Sequence, residues 1–451
     1  MSENKVFTGI VTTKQGPIVF QGEDKSFVFR FMDTAQITRE GHNYRMIQVP
    51  TEDSFVFGKT HDNRDIAVCC GNNTLEIIGT QKVNTNSFFV SKGILENSDL
   101  RQFDGITFVG KSLNKIFDIN GITVNYEEDG EKIVHNNDTL TYDVSTDDYR
   151  FVLTIRSCVG YRGGFSGMGI ENKDVSLTLE FDSLQPLSSF YYHYNRICDI
   201  VGFLLNRFEV GFDKISLLRY NEELHMRSEF ASVFIRDDSS ITTREKFEIL
   251  SFNDLGDTVP ELVKLFYQNT EGKHTCSLGF YPENDDRLYY MTNDRIKSIC
   301  SGLECELSFN KDIETENNPN LLELIEQTKS LIKSYRKDNP DAISDNTYSM
   351  IFSSLSHWSY SLAERIWSLY CEFYPEMCIL NRFHSLHIQK DHIQQFVKYR
   401  NDITHGNHRV LNHDVSKTAH TLSGLVYCSI LNRIGLDHEA ICKLCDEKLL
   451  T

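Results

Sequence analysis

Apolar and polar residues alternate in short runs through the first 184 residues. The runs are rich in Val, Ile, Phe, Tyr and Thr, and clusters of Gly, Asn and Asp separate them. Alternation with a period of two, interrupted by turn-forming residues, is typical of β-strands. The clearest runs lie at 27–31, 74–80, 106–110, 149–161 and 175–181. The pattern predicts a β-rich, sandwich-like domain over residues 1–184.

The pattern becomes mixed over residues 185–309. Apolar positions recur at helical spacing over 186–206, return to strand character at 214–220 and 230–236, and are helical again at 259–268. Short elements of both kinds without one dominant period predict an α+β region that connects two domains.

The apolar period is helical over residues 310–451. Each predicted helix has one apolar stripe and one polar face, which is the pattern of helices that pack together in a bundle. The stripes predict helices over about 321–335, 348–373, 391–405 and 414–434. The expected fold class is therefore α+β multidomain, with a β-rich domain followed by an all-α helical bundle.

The penultimate of these helices has the clearest start and end. Asp391, with a glutamine three residues later, forms a capping-box pattern that predicts the N-terminus. Gly406 can adopt the left-handed conformation that ends many helices, so the helix is expected to end at or just after His405. Arg400 and Asn401 then lie with His405 in the last two turns.

Arg400, Asn401 and His405 are residue types that handle phosphodiesters, since arginine binds phosphate and histidine exchanges protons near neutral pH. Residues five apart on a helix are rotated by roughly 140° and separated by ~7.5 Å. Arg400 and His405 therefore do not share a face, but two copies around a two-fold axis could bring them together. A plainer interpretation fits the residues equally well: His405 interacts with the helix dipole and Arg400 forms an ion pair.

The charge of the chain restricts where nucleic acid could bind. The formal net charge is −18, so most of the surface is expected to repel a polyanion. The balance reverses over 379–410, where Arg382, Lys390, Lys398, Arg400 and Arg409 face only Asp391 and Asp402. We interpret Lys398, Arg382 and Arg409 as candidate substrate-binding residues. For Arg382, which begins a second Arg-x4-His spacing, a solvated surface cation is the plainer interpretation.

Two further motifs favour structure over chemistry. The glycine-rich segment 162–169 has neither a phosphate-loop lysine nor a GxGxxG between strand and helix, so it is interpreted as a hairpin tip. His438, Cys442 and Cys445 lie on one helical face, but no second CxxC completes a zinc site, so core packing is favoured. No metal and no cofactor are expected.

The sequence indicates a cytoplasmic protein that does not enter membranes. The N-terminus lacks the layout of a signal peptide, and no stretch reaches the ~18 uninterrupted apolar residues of a membrane span. The 12 cysteines are scattered, and several occupy apolar patterns in which cysteine acts as a small hydrophobic residue.

The segment from Arg400 to Gly406, RNDITHG, resembles the R-N-x-x-x-H signature of HEPN domains. These domains are small helical bundles, and many of them are metal-independent endoribonucleases that dimerise to build a composite site. A β-rich region followed by a HEPN unit over 310–451 is similar to the Apea-like subgroup associated with bacterial anti-phage defence. Some HEPN domains are non-catalytic, so a dimerisation or partner-binding protein is the alternative.

The resemblance implies a toxin-like ribonuclease in which the RNA supplies its own nucleophile, the 2′-hydroxyl. Arg400 would hold the phosphate, His405 would exchange protons, and Asn401 would orient His405 or the phosphate. The implied partners are RNA (with transfer RNA among the candidates), a second copy or a higher homo-oligomer, and a phage-derived trigger. The N-terminal domain would then act as a sensor or substrate-recognition domain that controls the nuclease.

Overall fold

The computed structural model describes most of the chain as two compact units. The first comprises residues 1–205, 209–243 and 251–253, and the second comprises 206–208, 244–250 and 254–451. The first is β-rich and the second is helical, which confirms the predicted fold class. The described residues are 6–448 without 14–15, 24–26, 34–53, 71–73, 78–79, 94–98, 118–121, 128–129, 136–138, 165–166, 237–249, 270–274, 284–286, 288–289, 311–318, 341, 343, 357–360, 385–386 and 408–409.

The first unit is dominated by one antiparallel sheet. Its strands are β1 (Val6–Thr13), β2 (Gly16–Glu23), β3 (Val28–Asp33), β4 (Phe55–Thr60), β5 (Asp65–Cys69), β6 (Thr74–Ile77), β7 (Thr80–Asn84), β8 (Ser87–Ser91), β9 (Gln102–Val109), β10 (Ile122–Glu127), β11 (Gly130–His135), β12 (Thr139–Ser145), β13 (Arg150–Gly164), β14 (Gly167–Pro186), β15 (Lys214–Asn221) and β16 (Met226–Ile235). Within the described residues the strand order is β12-β13-β14-β9-β15-β16-β8-β5-β4-β1-β2-β3-β7-β6, and β10 pairs separately with β11.

The sheet curls around a core that is rich in phenylalanine. The rings of Phe29 on β3 and Phe88 on β8 are 5.2 Å apart, although β3 lies five strands from β8 in the sheet order. Neighbouring strands are about 4.8 Å apart, so a flat sheet would separate these strands by about 24 Å. Facing layers therefore form within one continuous sheet.

The sheet extends beyond the boundary predicted at residue 184. β15 pairs with β9 and β16 pairs with β8, so both strands belong to the same sheet as the N-terminal strands. Helix α2 (Phe190–Leu205) packs against the same sheet, with Phe190 5.0 Å from Phe89 and His193 4.5 Å from Phe181 between ring centroids. Residues 185–205 and 209–235 therefore belong to the first unit.

The glycine-rich segment at 162–169 joins two paired strands. β13 and β14 run antiparallel up to the pair Gly164 and Gly167, and residues 165–166 lie outside the described part of the chain. This confirms the interpretation of the segment as a hairpin connection.

The remaining helices are mainly in the second unit. Beside α2, the first unit contains α1 (Leu113–Ile116). The others are α3 (Phe252–Leu255), α4 (Val259–Tyr267), α5 (Asn293–Phe309), α6 (Pro319–Asp338), α7 (Asp345–Ser356), α8 (Leu362–Glu372), α9 (Tyr374–His384), α10 (Lys390–Thr404), α11 (His413–Arg433) and α12 (His438–Glu447). No helix of the described residues is long and apolar enough to cross a bilayer.

Helix α11 is the centre of the bundle, and α5 belongs to it. α11 packs against α5, α9, α10 and α12, while α10 also contacts α5 and α8. The boundary predicted at residue 309 is therefore not that of the structure. Helix α5 buries Ile296, Ile299 and Leu303, which gives it an apolar face that the bundle covers.

The long helix predicted over 348–373 is two helices in the structure. Helix α8 has its own N-cap, Ser361, whose hydroxyl accepts from the Glu364 N–H at 3.3 Å. The Glu364 carboxylate accepts from the Ser361 N–H at 3.1 Å, which completes a capping box. The S-x-x-E signature in the sequence marks this start.

Candidate functional site

Helix α10 carries the candidate residues, and its N-cap lies two residues earlier than predicted. Its N-cap is Gln389, whose N–H donates to His392 Nδ1 at 3.0 Å. The predicted N-cap, Asp391, lies instead in the first turn, where its carboxylate interacts favourably with the positive end of the helix dipole. The prediction of Asp391 as the cap is wrong because the His392 ring reaches back to the preceding backbone.

The C-terminal end of α10 is closed as the sequence predicts. His405 is the C-cap, and Gly406 has a φ of 79°, in the left-handed region that favours glycine. The Asn407 N–H donates to the Asp402 carbonyl at 2.9 Å, and the Gly406 N–H donates to the Ile403 carbonyl at 3.4 Å. This is the Schellman pattern, which fixes the last turn.

One face of α10 is anchored in the bundle. Ile393, Phe396, Tyr399 and Ile403 are buried, at the three- and four-residue spacing of a helix face. The Tyr399 hydroxyl donates to the side-chain oxygen of Asn293, the first residue of α5, at 2.9 Å. The backbone that carries the polar residues is therefore held against α5.

Arg400 extends from α10 to an acidic partner on α5. Its Nη2 donates to both carboxylate oxygens of Glu304, at 2.9 and 3.1 Å, while its Nη1 donates to Asn401 Oδ1 at 3.1 Å. The Arg400 side chain is 23% exposed and that of Glu304 is 42% exposed. The pair is therefore at the surface, where solvent and a ligand can reach it.

His405 lies apart from this pair. It is exposed, and its backbone N–H donates to the Asn401 carbonyl at 3.0 Å, which continues the helix. None of the described contacts joins its ring to Arg400. The arrangement agrees with the angular separation expected for residues five apart on a helix.

Asn401 is exposed, and its side chain contacts Arg400 through the amide oxygen. In this conformation it fixes one terminal nitrogen of the guanidinium, while Glu304 fixes the other. Asn401 therefore orients the arginine through its side chain and the histidine only through its backbone.

The thiol of Cys300, beside the Arg400–Glu304 pair, is unreactive at neutral pH. Burial raises the pKa of Cys300 to about 12, and the nearby charge of Arg400 only partly opposes this. Cys300 therefore remains protonated at neutral pH and is not a thiolate nucleophile.

The three candidate substrate-binding cations differ in position. Lys398 is exposed on α10, on the helix that carries Arg400. Arg382 is exposed on α9. Arg409 lies outside the described residues.

His438, Cys442 and Cys445 have partners within the bundle. His438 Nδ1 lies 2.7 Å from Glu376 Oε1, and the sulfur of Cys445 lies 3.6 Å from that of Cys428. Across the described part of the chain, no group of three or more histidine, cysteine or acidic residues is arranged to hold a metal ion.

Glu304 is the site residue that sequence reasoning missed. It precedes Arg400 by 96 positions, and no local pattern links the two. Periodicity could have placed it on a helix, but only the packing of α10 on α5 brings the two side chains together.

The chain therefore has a curled β-rich unit and a helical bundle. At the end of α10 the bundle carries Arg400, Asn401 and His405, which we call the Arg-Asn/His cluster. Residues 43–264 match the family model described as ApeA N-terminal domain 1. The N-terminal part of the chain is therefore similar to that of ApeA-like proteins. The match ends before α10, the helix that carries Arg400 and His405. No curated protein and no solved structure shows significant similarity to the chain.

Proposed function

We propose that the protein is a metal-independent endoribonuclease of the HEPN type that acts in anti-phage defence. The observation that carries the proposal is the end of α10, where Arg400, Asn401 and the exposed His405 lie within one and a half turns on a capped, anchored helix. The likeness of residues 43–264 to ApeA N-terminal domain 1 supports the defence role. In this proposal the β-rich unit controls the nuclease.

The reaction follows from the chemistry of these side chains. A base takes the proton of the RNA 2′-hydroxyl, the 2′-oxygen bonds to the adjacent phosphorus, and the bond to the 5′-oxygen breaks. The Arg400 guanidinium binds the phosphate and offsets the charge that develops on it. His405 donates a proton to the departing 5′-oxygen. The products are a 2′,3′-cyclic phosphate and a 5′-hydroxyl.

We further propose that the site is completed by a second copy of the chain. Arg400 is held against α5, whereas His405 lies at the exposed helix end, so one copy presents the two groups in different directions. A two-fold axis near α10 would place the partner subunit's His405 beside Arg400, and the same arrangement would occur twice.

The alternative is a non-catalytic helical unit that dimerises or binds a partner. The specific observation in its favour is that Glu304 already pairs with Arg400. If Arg400 serves only in this ion pair, it does not bind a phosphate, and the Arg-Asn/His cluster has no substrate.

Incubation of the purified protein with total cellular RNA in EDTA, followed by mapping of the cut ends, tests the proposal. We expect cleavage that leaves cyclic phosphate and 5′-hydroxyl ends. A His405→Ala preparation, purified in the same way, controls for contaminating ribonucleases. Cleavage that requires added metal, or that leaves 5′-phosphates, would contradict the mechanism, and no cleavage at all would favour the non-catalytic alternative.

A further inference from the structure

Glu304 is a charged group in direct contact with the arginine of the candidate site. Its two carboxylate oxygens lie 2.9 and 3.1 Å from Arg400 Nη2, and its side chain is 42% exposed. The carboxylate is therefore on the open side of α5, next to the place where Arg400 would bind a phosphate.

Cleavage through the 2′-hydroxyl requires two proton transfers. A base must take the proton of the attacking hydroxyl, and an acid must give one to the departing oxygen. The guanidinium of Arg400 stays protonated in proteins, and the amide of Asn401 is neither acid nor base at neutral pH. If His405 is the acid, the base must be another group.

Among the described side chains that contact the Arg400 guanidinium, Glu304 is the one that can accept a proton. The nearby thiol of Cys300 is buried and remains protonated, so it does not compete for this role. The Arg400 contacts in the described chain use the terminal nitrogens Nη1 and Nη2. A guanidinium has five N–H donors in a planar fork, so Nε can still bind a phosphate oxygen.

We propose that Glu304 is the general base of the ribonuclease reaction, an inference that rests on the proposed function. The 2′-O–H bond breaks and its proton moves to a carboxylate oxygen of Glu304. The 2′-oxygen bonds to phosphorus, and the bond from phosphorus to the 5′-oxygen breaks. His405, as imidazolium, gives its proton to that oxygen. Arg400 contacts the base and the phosphate together and so aligns them.

Glu304→Gln separates this role from a structural one. The glutamine side-chain oxygen can still accept from Arg400, but the side chain cannot take a proton. For a short RNA substrate we expect kcat to fall about 10²–10⁴-fold, the range for losing a general base. We expect KM to change only a few-fold.

Two further variants keep the result interpretable. Glu304→Asp retains a carboxylate and should recover part of the kcat that Glu304→Gln loses. Asp294→Asn changes another acidic residue of α5 and should leave cleavage unchanged. The Asp294 carboxylate lies 3.6 Å from Lys297 Nζ. The thermal melting temperature of each variant, measured alongside, establishes that the fold is intact.

Mixing experiments assign Glu304 to one side of the composite site. Glu304 and Arg400 come from one chain, so Glu304→Gln mixed with His405→Ala should restore cleavage. Glu304→Gln mixed with Arg400→Ala should not, because each shared site would lack one of the two groups.

Three results would overturn the proposal. A folded Glu304→Gln protein with wild-type kcat would show that the carboxylate takes no proton. Faster cleavage by Glu304→Gln would show that Glu304 obstructs the phosphate instead. A wild-type protein that does not cleave RNA in EDTA would overturn this proposal together with the proposed function, whereas the first two results leave the function standing.

Discussion

Helix α5 carries two glutamates, each paired with an arginine, and the two pairs have different surroundings. Glu306 is 1% exposed and accepts from Arg433 Nη2 at 2.8 Å and from Ser429 at 3.1 Å. Glu304 is 42% exposed and contacts Arg400. Residues two apart on a helix are rotated by about 200°, so α5 directs one glutamate into the bundle and the other to the surface.

The inner pair, Glu306 with Arg433, has the properties of a structural contact. Burial raises the pKa of Glu306, and the charge and hydrogen bonds of Arg433 act against that rise. The Arg433 guanidinium also lies 4.2 Å from the centre of the Phe309 ring. The two arginines are similarly exposed, 19% for Arg433 and 23% for Arg400, so the pairs differ mainly in their glutamates. Because Glu306 is buried, the inner pair holds α5 to α11 and offers no carboxylate to a substrate. The comparison shows that the exposure of the glutamate, more than the pairing itself, distinguishes the candidate catalytic pair from the structural one.

The largest effect is expected at the exposed end of the site. His405→Ala should lower cleavage about 10²–10⁴-fold, because it removes the proposed acid. The fold should survive, since the residue is exposed at a helix end and its truncation leaves no core cavity. The measurement is the rate of RNA cleavage together with the melting temperature. His413→Ala, which changes another exposed histidine, is the matched control; equal rates for the two variants would remove His405 from the mechanism.

Loss of the inner pair, Glu306 with Arg433, should lower stability, whereas loss of the outer pair, Glu304 with Arg400, should lower activity. Arg433→Ala leaves a buried carboxylate without its cation, which typically costs about 3–5 kcal/mol. Arg400→Ala should cost less than about 1 kcal/mol, because the outer pair is solvent-screened, yet it should abolish cleavage. Chemical denaturation measures the first effect, and cleavage per folded molecule measures the second. The comparison fails if Arg400→Ala destabilises the protein as much as Arg433→Ala does.

The smallest effect concerns the helix end that positions His405. Gly406→Ala should cost about 1 kcal/mol, because its φ of 79° disfavours a side chain. The space around the new methyl group is open, so no steric clash adds to the cost. Cleavage should fall only a few-fold, through a looser last turn. Denaturant titration checks the stability, and a change below the error of that measurement would mean that the left-handed turn is not strained by a side chain.

The sequence predicts the elements more completely than the contacts between them. Strand runs and helix stripes depend on neighbouring residues, and so does the end of α10, where Gly406 is decisive. The curl of the sheet is not visible in the sequence, because Phe29 and Phe88 meet only after the four strands between β3 and β8 have paired. The boundary at residue 184 fails for the same reason, since β15 pairs with a strand about 100 residues earlier.

The residues of the candidate site also fall into those that the sequence predicts and one that depends on helix packing. Arg400, Asn401 and His405 are found from one local motif, because a helix fixes their relative positions. Glu304 cannot be found in this way, since its contact with Arg400 spans 96 positions and depends on how two helices pack. The N-cap at Gln389 was missed because histidine is an unusual partner in a capping box.

The measurement that tests the composite site most directly is a mixture of two inactive proteins. Arg400→Ala and His405→Ala are purified separately, allowed to exchange subunits, and assayed on RNA in EDTA. If each site takes its arginine from one chain and its histidine from the other, every heterodimer keeps one complete site. The mixture should then recover up to about half of the wild-type activity per heterodimer. No recovery, with subunit exchange demonstrated by mass, would contradict a site shared between two chains.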